Sequence, residues 1–192
     1  MSNSNRVEFR RLLQTRSVLF SCEGTAEAVI IDRLVGDERT IVPAPNVVRD
    51  NDGRPYTTLR KMKDLQDQYL GVGYPNDLLI IRIVDVNPGS IVIPKLYRKQ
   101  VELRDVITRP EIEALVLARE GAYEDWYRHG KSILKPSEWC EQKLGFGKKL
   151  KTRKFLQQYW ESADVVVNAI RTYDQLLGSH GREQLNLSDL LA

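Results

Sequence analysis

Apolar residues along the chain fall into short continuous runs and into stripes at helical spacing. Residues 16–22 form a short apolar run closed by Glu23-Gly24, which reads as a buried strand. Thr25 is placed to cap a helix, since Ala28, Ile31, Leu34 and Val35 then recur at helical spacing before Gly36. Residues 40–48 carry Ile41, Val42, Val47 and Val48 around Pro43 and Pro45, and predict a short second strand before a turn at Asn51-Asp52-Gly53. In residues 57–70, Leu59, Met62, Leu65, Tyr69 and Leu70 share one stripe, so a helix ending at Gly71 is expected. Residues 77–86 (DLLIIRIVDV) are the most apolar stretch, which suits a central parallel strand buried on both faces.

Asn87-Pro88-Gly89 signals a loop after that strand, and residues 90–108 are irregular until a strand, expected next to the sheet edge, over 101–108. Pro110, followed by Ile112, Leu115, Val116 and Leu117, starts another amphipathic helix. Helical patterns return at 136–144, 152–161 and 163–177, and the tail carries Leu185, Leu187, Leu190 and Leu191. Residues 1–15 are polar and read as loosely held. The alternation defines an α/β fold, a mostly parallel sheet flanked by helices over residues 16–120. Residues 121–192 form a C-terminal helical extension packed on it.

Composition narrows the class. With 192 residues, 42% hydrophobic and 29% charged, the chain has the make-up of one globular domain, or of one with a small appendage. Lys+Arg 29 against Asp+Glu 26 leaves +3, so net charge alone does not demand a nucleic-acid partner. No apolar run approaches the roughly 18–20 residues that span a bilayer, so no membrane role is expected. The polar, basic start lacks the apolar stretch of a secretory signal. Cys22 and Cys140 make neither a disulfide framework nor a CxxC pair, and His129 and His180 leave little room for a histidine metal site. These features fit a reduced, cytoplasmic protein. Cys22 reads as a core residue and His129 and His180 as turn residues. Core packing is the expectation for Trp126, Trp139 and Trp160.

In a parallel sheet, ligands gather at the carboxyl ends of the strands. Glu23 ends the first strand and Asp85 the central one, Glu111 and Glu113 open the helix after the last, and Glu27 lies in the first turn of the first helix. Each taken singly reads as a solvated or helix-capping carboxylate. Converging on one rim they would repel one another unless a divalent cation neutralised them. Oxygen donors without His or Cys select a hard ion, Mg²⁺ or Mn²⁺. The spatial condition is that Glu23 and Asp85 meet, with neither pinned by a neighbouring arginine.

Cys22-Glu23-Gly24-Thr25-Ala26-Glu27 after an apolar strand resembles the first signature of the TOPRIM domain, a Glu-Gly elbow before a helix. Ile81-Arg82-Ile83-Val84-Asp85-Val86-Asn87 resembles its second, Asp-x-Asp after a buried strand. The Pro110-Glu111-Ile112-Glu113 helix start is similar to that of the small RloB-like TOPRIM proteins, relatives of the OLD nucleases. The resemblance covers about residues 16–120. It implies a TOPRIM-like (Rossmann-like) sheet and a Mg²⁺-dependent nucleic-acid phosphoryl-transfer site, often in phage-defence or mobile-element settings where such proteins act with a partner. Carried over residue by residue, Glu23 would be a metal ligand or general acid/base and Asp85 the principal ligand. Asn87 would be a weaker ligand, and Glu113 a further ligand or the group that positions a metal-bound water. Glu27 and Glu111 would be additional acidic groups. Asn87 stands where the family usually has Asp; its carbonyl can bind Mg²⁺ but supplies no charge.

Residues 143–154 (KLGFGKKLKTRK) hold six cations and no acid: Lys143, Lys148, Lys149, Lys151, Arg153 and Lys154. Gly145, Phe146 and Gly147 suggest a loop, either a solvated charge run or a phosphate-binding patch. With the acidic rim, these residues lead to an expectation of phosphodiester cleavage in DNA or RNA. The alternatives are a non-catalytic binding or regulatory subunit on the same fold, and a phosphotransferase or phosphatase acting on free nucleotides.

Overall fold

A computed structural model describes residues 3–85, 89, 91–178 and 184–192, so that Asn87 and His180 lie outside the described residues. Four strands, β1 (Ser17–Cys22), β2 (Tyr56–Thr57), β3 (Leu78–Val84) and β4 (Val101–Ile107), form one all-parallel sheet in the order β2-β1-β3-β4. The expected α/β architecture is therefore present. Every residue of β1 and β3 is buried, which is why these two segments read as largely apolar runs, with Arg82 the one charge among them. Ser17 pairs with Leu78 at one end of their ladder and Cys22 with Ile83 at the other. β4 is itself the edge rather than a strand inside it, and Glu102, Arg104 and Asp105 give that edge the charge that discourages further pairing.

Side chains alternate between two layers. Val18, Phe20, Cys22, Leu79, Ile81 and Ile83 face the helix α2 (Thr25–Gly36). Leu19, Leu78 and Ile80 face the short helix α3 (Met62–Leu65) and the π turn Gln66–Leu70 that extends it. The chain leaves β1 in one direction to reach β2 and returns past β1 to reach β3. Right-handed crossovers of opposite direction put their helices on opposite faces. The α2 face is the thicker one. It carries α4 (Ala114–Arg119), α5 (Tyr123–Asp125), α6 (Pro136–Gln142), α7 (Arg153–Tyr159) and α8 (Ala163–Leu177). Trp126, Trp139 and Trp160 are buried there, in the same core as β1 and β3.

Several segments depart from the sequence pattern. The first fifteen residues are not loose: Asn3–Thr15 is a helix, α1, and Phe9, Leu12 and Leu13 lie on one stripe of it and are buried in the main core. The tail secures it, since Arg6 pairs with Asp189 at 3.0 Å and Leu185, Leu187, Leu190 and Leu191 enter the same core. Residues 40–48 do not make a strand. Pro43 and Pro45 lack the donor a ladder needs, and the segment is instead the turn Ala44–Asn46 between single bridges from Thr40 to Leu191 and from Val47 to Val18. β2 lies at Tyr56–Thr57, so the expected helix over 57–70 shortens to α3 and its π turn. Thr25 is the first residue of α2 and caps nothing; the N-cap is Gly24. Pro110 follows a cis peptide bond, and α4 starts at Ala114. Gly147–Lys151 is a 3-10 turn rather than an open loop.

Candidate functional site

β1 and β3 are neighbours whose onward connections leave on opposite faces, and such a switch point opens a crevice at the carboxyl ends of the strands. Glu23 and Asp85 stand there, 62 positions apart in sequence, and Glu23 Oε2 accepts a hydrogen bond from the Asp85 backbone N–H at 3.2 Å. The two therefore meet as expected. Strand alternation aims them differently. Glu23 continues the series of Leu19 and Ser21 toward the α3 face, and its Oε1 meets Arg60 Nη1 at 3.2 Å. Asp85 continues the series of Leu79, Ile81 and Ile83 toward α2 and α4.

The arginine condition holds at Asp85 among the described residues and fails at Glu23. Arg60 does pair with Glu23, but their side chains are 60% and 39% exposed. A pair in that setting is worth roughly 0–1 kcal/mol and yields readily to a competing charge.

Around Asp85 the carboxyls share a poorly solvated space. Burial raises the Asp85 pKa; the Thr108 hydroxyl, 2.8 Å from Oδ1, opposes the shift, and the charges of Glu23 and Glu111 add to it. Glu27 is only 4% exposed. Burial lifts its pKa to about 7, with further upward pushes from Asp85, Glu113 and Glu23 against its own backbone N–H. A Cβ on Gly24 would sit 3.0 Å from Glu27 Oε2. The Glu27 carboxyl thus folds over the Glu-Gly elbow, and a side chain at position 24 would have to displace it. Glu113 is also lifted to about 7, by burial first and then by Glu111 and Asp85, while Lys151 pulls it down.

Glu111 has a structural role. Its Oε2 accepts the Ser137 N–H at 3.1 Å and so ties off a free donor in the first turn of α6; Lys135 Nζ lies 3.9 Å from Oε1.

Among the described residues, no three or more His, Cys, Asp or Glu side chains stand in the geometry of a preformed metal cage. The donor chemistry nonetheless fits a hard cation. All the groups are oxygen donors, and Mg²⁺ is commonly held by one or two carboxylates with waters completing its shell. Burial is the main cause of the upward shifts at Glu27, Asp85 and Glu113, and the neighbouring carboxyls add to each.

The basic segment lies against this rim. Leu150 is buried and, with Ile112, Leu156 and Trp160, lines a small gap that Glu113 also borders. Next to that anchor, Lys151 is close enough to lower the Glu113 pKa, and Lys148 and Lys149 are exposed in the same turn. Arg153 lies 5.6 Å from the centroid of the Tyr56 ring. Lys154 comes next in α7, and Lys143 is the C-cap that follows α6.

Three groups escaped the sequence reading. The Thr108 hydroxyl reaches Asp85 across β3 and β4, a contact set by register. Arg60 comes from the segment joining β2 to α3, held at the rim where the Ser21 hydroxyl donates to the Leu59 carbonyl at 2.7 Å. Arg82 and Asp105 pair across the sheet at 2.6 and 2.8 Å, and Arg82 Nη1 also reaches the Gly89 carbonyl at 3.3 Å. A lone charge inside an apolar strand was the available signal for Arg82.

The fold and site define a parallel α/β protein with a carboxylate cluster at its switch point, flanked by cations. No protein-family model matches the chain, and comparisons with curated proteins and with solved structures give no match either. Among the described residues, no helix is long and apolar enough to cross a membrane.

Proposed function

We propose that this protein has a TOPRIM-like core that cleaves nucleic-acid phosphodiester bonds with the help of Mg²⁺ or Mn²⁺. The observation that carries the reading is the junction of Glu23 and Asp85 at the β1/β3 crevice, with Glu27 and Glu113 in mutual electrostatic reach. Asp85 and Glu23 would hold the ion, with Glu113 and Asn87 as further donors. A bound divalent ion supplies charge neutralisation at the phosphate and a more acidic water. Thr108 orients the Asp85 carboxylate. Glu113, with its pKa near 7, is suited to hold or release a proton at its carboxyl. Lys148, Lys149, Lys151 and Arg153 bind the polyanionic backbone beside the rim, and Lys143 and Lys154 extend the positive field. A phage-defence or mobile-element setting, with a protein partner, belongs to the same proposal.

The test is divalent-dependent cleavage of labelled DNA and RNA by the wild type and by Glu23→Ala and Asp85→Ala. Both variants should lose cleavage while retaining cooperative unfolding. Cleavage surviving both substitutions in clean preparations would refute the mechanism.

The Arg60–Glu23 ion pair favours one second reading, a non-catalytic binding module in which the carboxyl is occupied by the chain's own cation. Tight nucleic-acid binding without turnover in either metal would select it.

A further inference from the structure

We infer that Arg60, Lys61 and Lys63 form a second phosphate-binding bank, so that the substrate is a polynucleotide strand crossing the acidic rim from one face of the sheet to the other. This rests on the proposed site and names its substrate class.

Charge neutralisation is uneven over the surface. Among the described residues, several exposed arginines are paired: Arg11 with Glu8, Arg54 with Asp52, Arg104 with Glu102 and Arg128 with Glu124. Lys61 and Lys63 are exposed and join no salt bridge among the described residues, and the same holds for Lys148, Lys149, Lys151, Arg153 and Lys154. Elsewhere in the described residues unpaired exposed cations also occur, Lys95 and Lys99 among them, but two groups stand at the carboxyl end of the sheet, on either side of the carboxyls. Leu59, Met62 and Leu65, which seat the first group, pack into the α3-side core. Leu150 and Leu156, which seat the second, pack into the α2-side core. Glu23 and Asp85 lie between them at the carboxyl ends of β1 and β3, Glu23 turned toward the first bank, and Asp85 toward the α2 side, where Lys151 acts on Glu113.

The first bank is a built feature. The Ser21–Leu59 hydrogen bond fixes the backbone one residue before Arg60, and the Leu59 N–H bonds to the Thr57 hydroxyl at 3.2 Å. Arg60 is the member shared between chain and substrate. In the free protein it neutralises Glu23; a strand phosphate entering the crevice competes for the same guanidinium and leaves Glu23 free. A mononucleotide offers phosphates to one bank only, whereas a continuous backbone offers charges to both.

Binding is measured on the full chain by fluorescence anisotropy in EDTA, so that affinity is read without turnover. The probes are a labelled single strand of about 16 nucleotides, the upper site size of a single binding module, as DNA and as RNA. Lys61→Gln/Lys63→Gln is compared with Lys95→Gln/Lys99→Gln. The latter pair is also exposed and unpaired among the described residues, but it lies in the turn before β4, at the opposite end of the sheet. Losing two phosphate contacts should flatten the slope of log affinity against log salt by about 1.4, with the control pair unchanged. Arg60→Gln should flatten it by a further ~0.7.

Equal slopes for both double variants overturn the proposal, as does failure of the wild type to bind either strand at low salt. Binding with the expected slopes but without metal-dependent cleavage sinks the cleavage reading and leaves the bank standing. Cleavage with unaltered slopes does the reverse.

Discussion

Replacing Glu27 with glutamine should stabilise this protein at alkaline pH. The residue is 4% exposed, and burial raises its pKa, with smaller upward pushes from three other carboxyls. Its folded pKa, about 7 against an ordinary 4.5, means that the folded state binds this proton more tightly than the unfolded chain. Below about pH 4.5 both states are protonated and the group costs nothing. As pH rises toward 7 the unfolded chain ionises first and stability falls; above about 7 the whole penalty is in place. At about 1.4 kcal/mol per pH unit, the penalty is about 3 kcal/mol. Glutamine keeps the shape and the acceptor for the residue's own N–H but never ionises.

Urea unfolding followed by the fluorescence of the buried tryptophans reads the difference directly. Glu27→Gln should gain about 3 kcal/mol over wild type near pH 8 and almost nothing near pH 4.5. A variant whose stability relative to wild type is the same at both pH values, or which is weaker near pH 8, would show that Glu27 sits ionised and compensated. The rim would then carry no surplus of negative charge. Mg²⁺, if it binds this rim, should raise the stability of wild type near pH 8 more than that of the variant.

Other expectations rest on single contacts. Arg82→Ala leaves Asp105 without its partner across the sheet and should cost about 3–5 kcal/mol by chemical denaturation, whereas Arg82→Met with Asp105→Leu should recover most of it; equal losses would contradict the pairing. Thr108→Val removes the donor that holds the Asp85 carboxylate, so the Asp85 midpoint in a carboxyl-carbon NMR titration should move up. An unchanged or lower midpoint would show the hydroxyl to be idle. Leu13→Ala, at a position with no exposure, should lose about 2–5 kcal/mol in the same unfolding assay; wild-type stability would mean that α1 is not part of the core.

The central strands, α2, α8 and the Glu-Gly elbow were legible because their signals are local. Seven buried residues in succession have few readings other than an interior parallel strand, and the α8 pattern places Val166, Ile170 and Tyr173 on one inward stripe. The carboxyls at strand ends came from the same logic, since a parallel sheet has one end where its loops meet ligands.

What sequence could not settle was decided by partners distant along the chain. Residues 3–15 look polar by composition, yet Phe9, Leu12 and Leu13 are enough to bury a helix once the leucines of the tail, some 180 residues later, lie beside them. Tyr56–Thr57 is too short to announce itself as a strand and exists because β1 offers a free edge. Arg60 and Thr108 reach Glu23 and Asp85 through sheet register, which leaves no mark on neighbouring residues. Local chemistry thus chose the elements and the kinds of side chain at their ends. The tertiary structure chose which of those ends share a poorly solvated space, because electrostatic and packing energies depend on distance in space and not on separation along the chain.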